Sequence, residues 1–413
     1  MSFSPDIIEV INELPSEAES NNFIIRYGFR NPPSGPGLGG DGVRDQILIL
    51  TYFQALESLY RVMTSPPWNR RCPIVGDLKK TLVYVCDSPP FTAYDDNKVP
   101  CIVLPSRSSE PTTNAELRRA AAEAVHEATH LFNFTHRPHY ETSSKPWIWF
   151  DEGMAVLLET LVVAGNPDYF RFMMNWIDMP EMPLDDPMGK YQAGMFVRYL
   201  YMRMGVEFVN EVWTKSSVGI GPLDALAHFA ALKNETFISA DPTVEDIFAS
   251  GYCIDPYFMC DHTGVGLAPD LFFRFGERAI SQTLVLDPIT DSEIEVKDFL
   301  DHLSCRYYRI YLKNDVKQLS VRMSFNQPCV RRIFKAEIAT VTKHKMRSSV
   351  TRLHEEIAQD PDGCCHLNAT LTGLDAGKID HLLLVVSNCG VRSSANNIEH
   401  DDDKIYTIKV KAS

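Results

Sequence analysis

The stretch that decides the fold is Ala121–Phe134, which reads AAEAVHEATHLFNF. Positions 126–130 read HEATH, which fits the pattern H-E-x-x-H. Residues four apart lie on the same face of an α-helix, so both histidine side chains can reach one metal ion. The stretch therefore predicts a metal-binding helix if the flanking sequence also favours one.

The flanking residues predict that helix independently of the histidines. Thr113 followed by Glu116 fits a capping box, and small and apolar residues then extend the predicted helix over 115–132. Glu127 lies about 100° around the helix from His126, so it is placed beside the metal rather than on it. That position suits a general base that acts on metal-bound water.

Two residues compete to be the third protein ligand that a catalytic zinc ion requires. Glu152 lies 22 residues after His130, within WFDEGMA at 149–155. His136 is the alternative, because 126–136 reads H-E-x-x-H-x-x-Asn-x-x-His and so nearly fits the metzincin consensus. Asn133 replaces the metzincin glycine that ends the helix, and asparagine tolerates the left-handed conformation required there. The spacing of these residues alone leaves both candidates open.

The arrangement with Glu152 resembles the gluzincin metallopeptidases, the superfamily of thermolysin and the aminopeptidase-N-like enzymes. These enzymes place the third ligand on a second helix, in a W-x-x-E-G-x-A-like context that residues 149–155 match. The resemblance covers roughly residues 20–250 and is specific at the two metal-site helices. It implies a zinc ion (Zn2+) bound by His126, His130 and Glu152.

A second resemblance lies downstream, where residues 189–196 read GKYQAGMF. This segment looks like the Y-x-x-G segment of aminopeptidase-N-like gluzincins, whose tyrosine donates a hydrogen bond to the tetrahedral oxyanion. The matching residue is Tyr191, and a phenol is a suitable neutral donor to developing negative charge. The sequence has no G-A-M-E-N segment, which in aminopeptidases holds the free amine of the substrate. An endopeptidase is therefore favoured over an exopeptidase.

The periodicity of apolar residues changes along the chain and predicts two domains of an α+β protein. A zincin-like metallopeptidase domain with a small N-terminal sheet is expected over 1–280, and an all-β antiparallel sandwich, as an accessory domain, over 281–413. In the first domain we predict helices also at 41–65, 151–164, 191–204, 207–215 and 223–232, and strands at 81–86 and 101–105. In the second we predict seven strands, at 282–286, 307–312, 319–325, 335–342, 366–372, 381–386 and 405–410. The resemblance to zincins further implies that the strand Cys101–Pro105, just before the metal helix, lies at the sheet edge, where an extended polypeptide substrate would pair with it.

Charge and composition limit the possible partners. The net charge is −14, and all of it belongs to the first 280 residues, since the remainder carries 18 basic and 18 acidic residues. An acidic chain is not expected to bind nucleic acid, and no apolar run reaches the roughly 18 residues that a transmembrane helix needs. The compartment stays open: secretion is favoured if a leader has been removed, and the cytoplasm otherwise. The oligomeric state is not determined by the sequence.

These features predict zinc-dependent hydrolysis of peptide bonds in a polypeptide substrate, with Glu127 as general base and Tyr191 as oxyanion donor. One alternative is a zinc hydrolase or lyase that acts on a single dedicated peptide or on a non-peptide substrate. Another is a catalytically inactive binding protein that keeps the zincin fold. The intact H-E-x-x-H pattern together with Glu152 argues against inactivity.

Overall fold

The two compact units of the chain are seen in a computed structural model. One unit is formed within residues 1–173 and 190–225, and the other within 174–189 and 226–413. The first combines helices with a sheet and the second is rich in strands, so the chain is an α+β protein. The structure describes residues 14–28, 42–43, 45–71, 80–94, 99–106, 113–136, 148–186, 188–216, 225–226, 279–287, 293–313, 316–326, 334–343, 347–356, 364–389 and 404–413.

The first unit contains a five-stranded mixed sheet in the order β1-β2-β3-β5-β4. The three inner strands β2, β3 and β5 run parallel, while β1 and β4 are antiparallel to their neighbours. The strands are β1 (Ser16–Glu19), β2 (Phe23–Tyr27), β3 (Thr81–Cys86), β4 (Phe91–Tyr94) and β5 (Pro100–Pro105).

The position of β5 corrects one expectation. The strand predicted at Cys101–Pro105 is present, but it lies between β3 and β4 and is not the edge strand. All six residues of β3 and the central four of β5 are buried, as continuous apolar runs predict for strands covered on both faces. The edge is formed by the short strand β4, whose four residues FTAY carry too weak a pattern to be predicted.

Six helices are described before the strand-rich unit, and two of them, the first and the second, pack against the sheet. The second helix packs against the first and third helices and against β4 and β5, and the third packs against the fifth. The fourth helix was not predicted, and of the helix predicted at 223–232 only residues 225–226 are described. The helices are α1 (Gln46–Thr64), α2 (Asn114–His136), α3 (Ile148–Val162), α4 (Pro167–Asp178), α5 (Ala193–Met204) and α6 (Val206–Ser216).

Two glycines allow α3 and α5 to approach closely. A Cβ atom at Gly194 would lie 2.5 Å from Cγ1 of Val156, and one at Gly153 would lie 2.7 Å from Cγ2 of Val197. Real Cβ atoms do not approach other atoms so closely, so both positions require glycine. The crossing brings the residues just before α5, including Tyr191, towards the N-terminal half of α3.

We expect Gly194→Ala to destabilise the protein by about 1–3 kcal/mol, because the added methyl group overpacks the crossing. Val156→Ala in the same chain should recover part of this loss, since it removes the γ-carbon at 2.5 Å but leaves the Cβ at 2.7 Å. Thermal unfolding measures the effect. Gly28→Ala is the matched control, because its nearest contact would be an ordinary 3.5 Å. Equal unfolding midpoints for Gly194→Ala and the control would contradict the crossing.

The second unit is a β-sandwich. Its two sheets have the orders β11-β10-β14-β8-β6 and β12-β13-β9-β15-β7, and both contribute side chains to one apolar cluster. All seven predicted strands are present in extended form. The strands are β6 (Ile280–Leu286), β7 (Glu293–Leu300), β8 (Ser304–Leu312), β9 (Gln318–Asn326), β10 (Phe334–Thr342), β11 (Arg347–Arg352), β12 (His354–Glu356), β13 (Cys364–Thr372), β14 (Ile379–Asn388) and β15 (Lys404–Ala412).

Three features of this unit differ from the sequence-based expectation. Strand β6 pairs parallel with β8, so the sandwich is not wholly antiparallel. Three strands (β7, β11 and β12) were not predicted, and each lies at a sheet edge. The segment 174–189 also belongs to this unit, where the backbone N–H of Cys305 donates to the carbonyl of Pro180 at 3.0 Å. Within the described residues no helix is long and apolar enough to cross a membrane.

Candidate metal centre

Three side chains converge at the N-terminal half of α3. One ligand atom from each of His126, His130 and Glu152 lies within 4.8 Å of the other two. The Oε2 atom of Glu152 is 3.0 Å from Nε2 of His126 and 3.5 Å from Nε2 of His130. Helix α2 thus presents both imidazoles on one face, and the second turn of α3 presents the carboxylate opposite them.

Each imidazole is also held from behind by a carboxylate of α3. Nδ1 of His126 lies 2.5 Å from Oε1 of Glu159, and Nδ1 of His130 lies 3.0 Å from Oδ2 of Asp151. A carboxylate only accepts, so each pair places the proton on Nδ1 and leaves Nε2 to the shared site. Such pairs orient histidine ligands and increase their basicity. Glu159 could be proposed from the sequence because it follows Glu152 by two helical turns, whereas Asp151 was read only as the first residue of a helix.

The charges of this cluster stabilise one another in the absence of a metal ion. Burial disfavours the charged form of His126, but hydrogen bonds to Glu152 and Glu159 outweigh it and raise its pKa to about 10. Burial acts in the same way on His130, whose pKa is raised well above its usual value by Asp151 and Glu152. The two imidazoles in turn hold the pKa of Glu152 well below its usual value despite burial. Without metal, these contacts favour the protonated form of both histidines and the anionic form of Glu152.

Glu127 lies beside this cluster and is held by the edge strand. The hydroxyl of Thr92 in β4 lies 2.9 Å from Oε2 of Glu127 and 2.7 Å from its backbone carbonyl oxygen. The hydroxyl has one proton, so it donates to one of these oxygens at a time. Glu127 is buried but is not one of the three clustered residues, as its position on the helix predicts.

Tyr191 lies next to His126. The two ring centroids are 5.7 Å apart, and the phenol ring stacks on Phe172 at 5.1 Å. Burial, followed by the charge of Glu152, raises the pKa of Tyr191 above its usual value, so the phenol keeps its proton at neutral pH. A phenol in this state can donate a hydrogen bond.

Lys190 is a member of the site that the sequence-based prediction missed. Its Nζ donates to Oε1 of Glu152 at 2.6 Å and lies 4.7 Å from the centroid of the Tyr191 ring. Burial opposes the charged form, but Glu152 raises the pKa of the Lys190 ammonium group above its usual value. Lys190 thus neutralises the oxygen of Glu152 that faces away from the histidines.

The backbone argues against the alternative ligand His136. A metzincin-type third histidine requires the chain to turn after Asn133, but α2 continues without interruption to residue 136. Asn133 lies within α2, where it is buried and hydrogen-bonded to Asp151 and Arg70, and it does not end the helix. The side chain of His136 itself lies outside the described part of the chain.

Comparisons with known proteins do not identify a family. No family model matches the chain, and no curated protein matches its sequence. Among solved structures, the pre-peptidase C-terminal domain of a Bacillus anthracis collagenase matches at 10% identity and a TM-score of 0.18, over 32% of this chain and 96% of its own. PliG, a periplasmic inhibitor of g-type lysozyme from Aeromonas hydrophila, matches at 11% identity and a TM-score of 0.19, over 32% of this chain and 96% of its own. A GH115 4-O-methyl-α-glucuronidase matches at 9% identity and a TM-score of 0.18, over 72% of this chain and 40% of its own. Similarity this low does not establish the fold of either unit.

The protonated state of the metal-free site predicts a pH dependence. The pKa of His126 is raised from 6.5 to about 10, so its ion pairs stabilise the folded metal-free protein fully below pH 6.5 and are lost as the pH rises towards 10. A metal ion needs neutral imidazoles, so its stabilising effect should grow over the same range. We expect the gap between the unfolding midpoints with excess zinc and with chelator to widen from pH 6.5 to 9.5.

The His126→Gln variant isolates this effect from the titration of other groups, because its midpoint in chelator should depend less on pH. Differential scanning fluorimetry at five or six pH values gives both curves. If the wild type and the variant lose stability in parallel in chelator, the protonated His126 pair does not contribute.

Proposed function

We propose that this chain is a zinc-dependent metallopeptidase of the gluzincin type that hydrolyses internal peptide bonds of polypeptides. The observation that carries the proposal is the convergence of His126, His130 and Glu152 with Glu127 beside them and outside the ligand set. The zincin-like fold and the identity of the metal are parts of this proposal.

The three clustered side chains fit a catalytic zinc ion. Two imidazole nitrogens and one carboxylate oxygen form the His2Glu ligand set that catalytic zinc uses, which leaves a position for water or substrate. The carboxylates of Asp151 and Glu159 behind the histidines provide the second layer of contacts that such ligands require. Zinc bound here would act as a Lewis acid and lower the pKa of a water molecule towards about 7.

Glu127 is the proposed general base. It is one residue from a ligand on the same helix, and the hydrogen bond from Thr92 fixes its carboxylate while leaving lone pairs free. Glu127 would take a proton from the attacking water and deliver it to the leaving amine, since one positioned carboxylate can serve in both directions.

Tyr191 and Lys190 would stabilise the negative charge that develops on the scissile carbonyl oxygen. The neutral phenol of Tyr191, beside His126, is the proposed donor to the oxyanion. Lys190 supplies the positive charge next to it, at 4.7 Å from the phenol ring. The contact between Gly194 and Val156 at the crossing of α3 and α5 helps to position both residues, because they lie within three residues of the start of α5.

The position of β4 at the edge of the described sheet is the argument for a polypeptide substrate. Among the described residues β4 has one neighbour in the sheet, β5, so an extended chain that paired with its other side would continue the sheet. Thr92 of the same strand contacts the proposed base, so a chain paired with β4 would pass close to Glu127.

The first test is Glu127→Gln. The amide keeps the shape of the side chain and the ligands untouched, so zinc content should stay at one per chain while turnover falls by about 10²–10⁴-fold. Glu123→Gln, one helical turn earlier, is the matched control and should retain activity. Substantial hydrolysis by Glu127→Gln would remove Glu127 from the mechanism.

The second test decides the third ligand. Glu152→Ala should lose bound zinc, because it removes one of three ligands, whereas His136→Ala should retain it. Elemental analysis of both purified variants after dialysis measures the metal content. The reverse result would favour the metzincin-type arrangement.

A cleavage profile on proteome-derived peptides distinguishes the alternative functions. Cuts in many sequences favour a general endopeptidase, and zinc binding without any cuts favours an enzyme for one dedicated substrate or a binding protein.

A further inference from the structure

Asn133 connects two buried charged side chains behind His130. Its Nδ2 donates to Oδ1 of Asp151 at 2.6 Å, and its Oδ1 accepts from Nη1 of Arg70 at 2.7 Å. A carboxylate only accepts and a guanidinium only donates, so these partners fix the orientation of the amide. Asn133 is 2% exposed, and one side of it meets the carboxylate that holds His130.

Arg70 is fixed on its far side as well. Its Nη2 donates to Oδ1 of Asn210 at 3.0 Å, and the guanidinium lies 5.8 Å from the ring of Trp68 and 5.6 Å from that of Trp213. Asn69, just before it, adopts φ +46°, a left-handed conformation that asparagine tolerates. Arg70 is itself 2% exposed, so its charge is withdrawn from water.

A similar chain of hydrogen bonds lies behind His126. Glu159 contacts Nδ1 of His126 through Oε1, and its Oε2 accepts from Nδ2 of Asn166 at 2.7 Å. Asn166 is buried and follows Gly165, whose φ of +68° turns the chain after α3. Each imidazole is thus followed by a carboxylate and then by an asparagine amide, and the two asparagines come from different segments.

We propose that Asn133, anchored by Arg70, and Asn166 are positioning residues that fix both histidine ligands through their carboxylates. Each amide occupies one carboxylate oxygen and so leaves the other to receive the imidazole Nδ1–H. The carboxylate cannot then rotate, and Nε2 stays directed at the position beside Glu152. This inference rests on the proposed metal site but concerns residues that contact neither metal nor substrate.

The test uses Asn133→Asp and Asn166→Asp, which keep the side-chain shape and replace the donating amide by a second carboxylate. Asn133→Asp also retains an acceptor for Arg70. Each variant should bind zinc about 10–100-fold more weakly than the wild type in a chelator competition at fixed pH. The visible spectrum of the cobalt-substituted protein should change as well, since a rotated imidazole alters the ligand geometry. Asn175→Asp, an exposed asparagine, is the control for added charge and should change neither measurement.

A double-mutant cycle separates positioning from a structural role. In Asn133→Asp combined with Asp151→Asn, the donor and acceptor exchange places, so the hydrogen bond between the two positions can form again. If the two positions were independent, the fold-losses of the two single variants would multiply. We expect the loss of zinc affinity in the double variant to be about tenfold smaller than that product. Strictly multiplicative losses would assign Asn133 a structural role and overturn its part of the inference.

The outcomes distinguish this inference from the proposed function. A wild-type protein that binds no zinc overturns both. A wild type that binds zinc, with unchanged affinity and cobalt spectrum in Asn133→Asp and Asn166→Asp, overturns the positioning role alone. If Asn133→Asp does not fold, Asn166→Asp decides, because it tests the similar chain of hydrogen bonds behind His126 without touching Arg70.

Discussion

The buried carboxylate of Glu152 is the group on which the first unit depends. A carboxylate withdrawn from water is stable only if cations or hydrogen-bond donors surround it. Here His126 and His130 approach one oxygen and Lys190 approaches the other, from three different segments of the chain. These contacts join α2, α3 and the segment before α5 at one point. The packing of these helices and the geometry of the site therefore depend on the same side chain.

Helix α3 both packs in the core of the first unit and carries side chains of the candidate site. It is buried over eleven consecutive residues, from Trp149 to Glu159, so its polar side chains need partners inside the protein. Three of them supply the proposed ligand Glu152 and the two carboxylates behind the histidines. Gly153, between them, permits the close approach of α5. A helix that packs on all sides and also builds the site tolerates little change in either role.

Some of this structure could be predicted from the sequence and some could not, for physical reasons. The helix with His126 and His130 follows from a cap and a local spacing, which tertiary contacts do not override. The role of Asn133 could not be predicted, because its hydrogen bonds come from residues that are distant in the sequence. The sandwich strands that were missed are β7, β11 and β12. All three lie at sheet edges, where one neighbour is lacking and a polar pattern suffices.

Part of the negative charge of the first 280 residues is concentrated at the candidate site. Four carboxylates, those of Glu127, Asp151, Glu152 and Glu159, lie at the site, where the nearest described ammonium group is Lys190. These carboxylates favour the protonated form of His126 and His130 in the metal-free protein, and a divalent cation would replace those protons. The negative charge near the site therefore favours a metal ion first. In the proposed metallopeptidase, the effect of this charge on a substrate would depend on what remains after a metal ion is bound, so the net charge alone does not predict a preference for basic peptides.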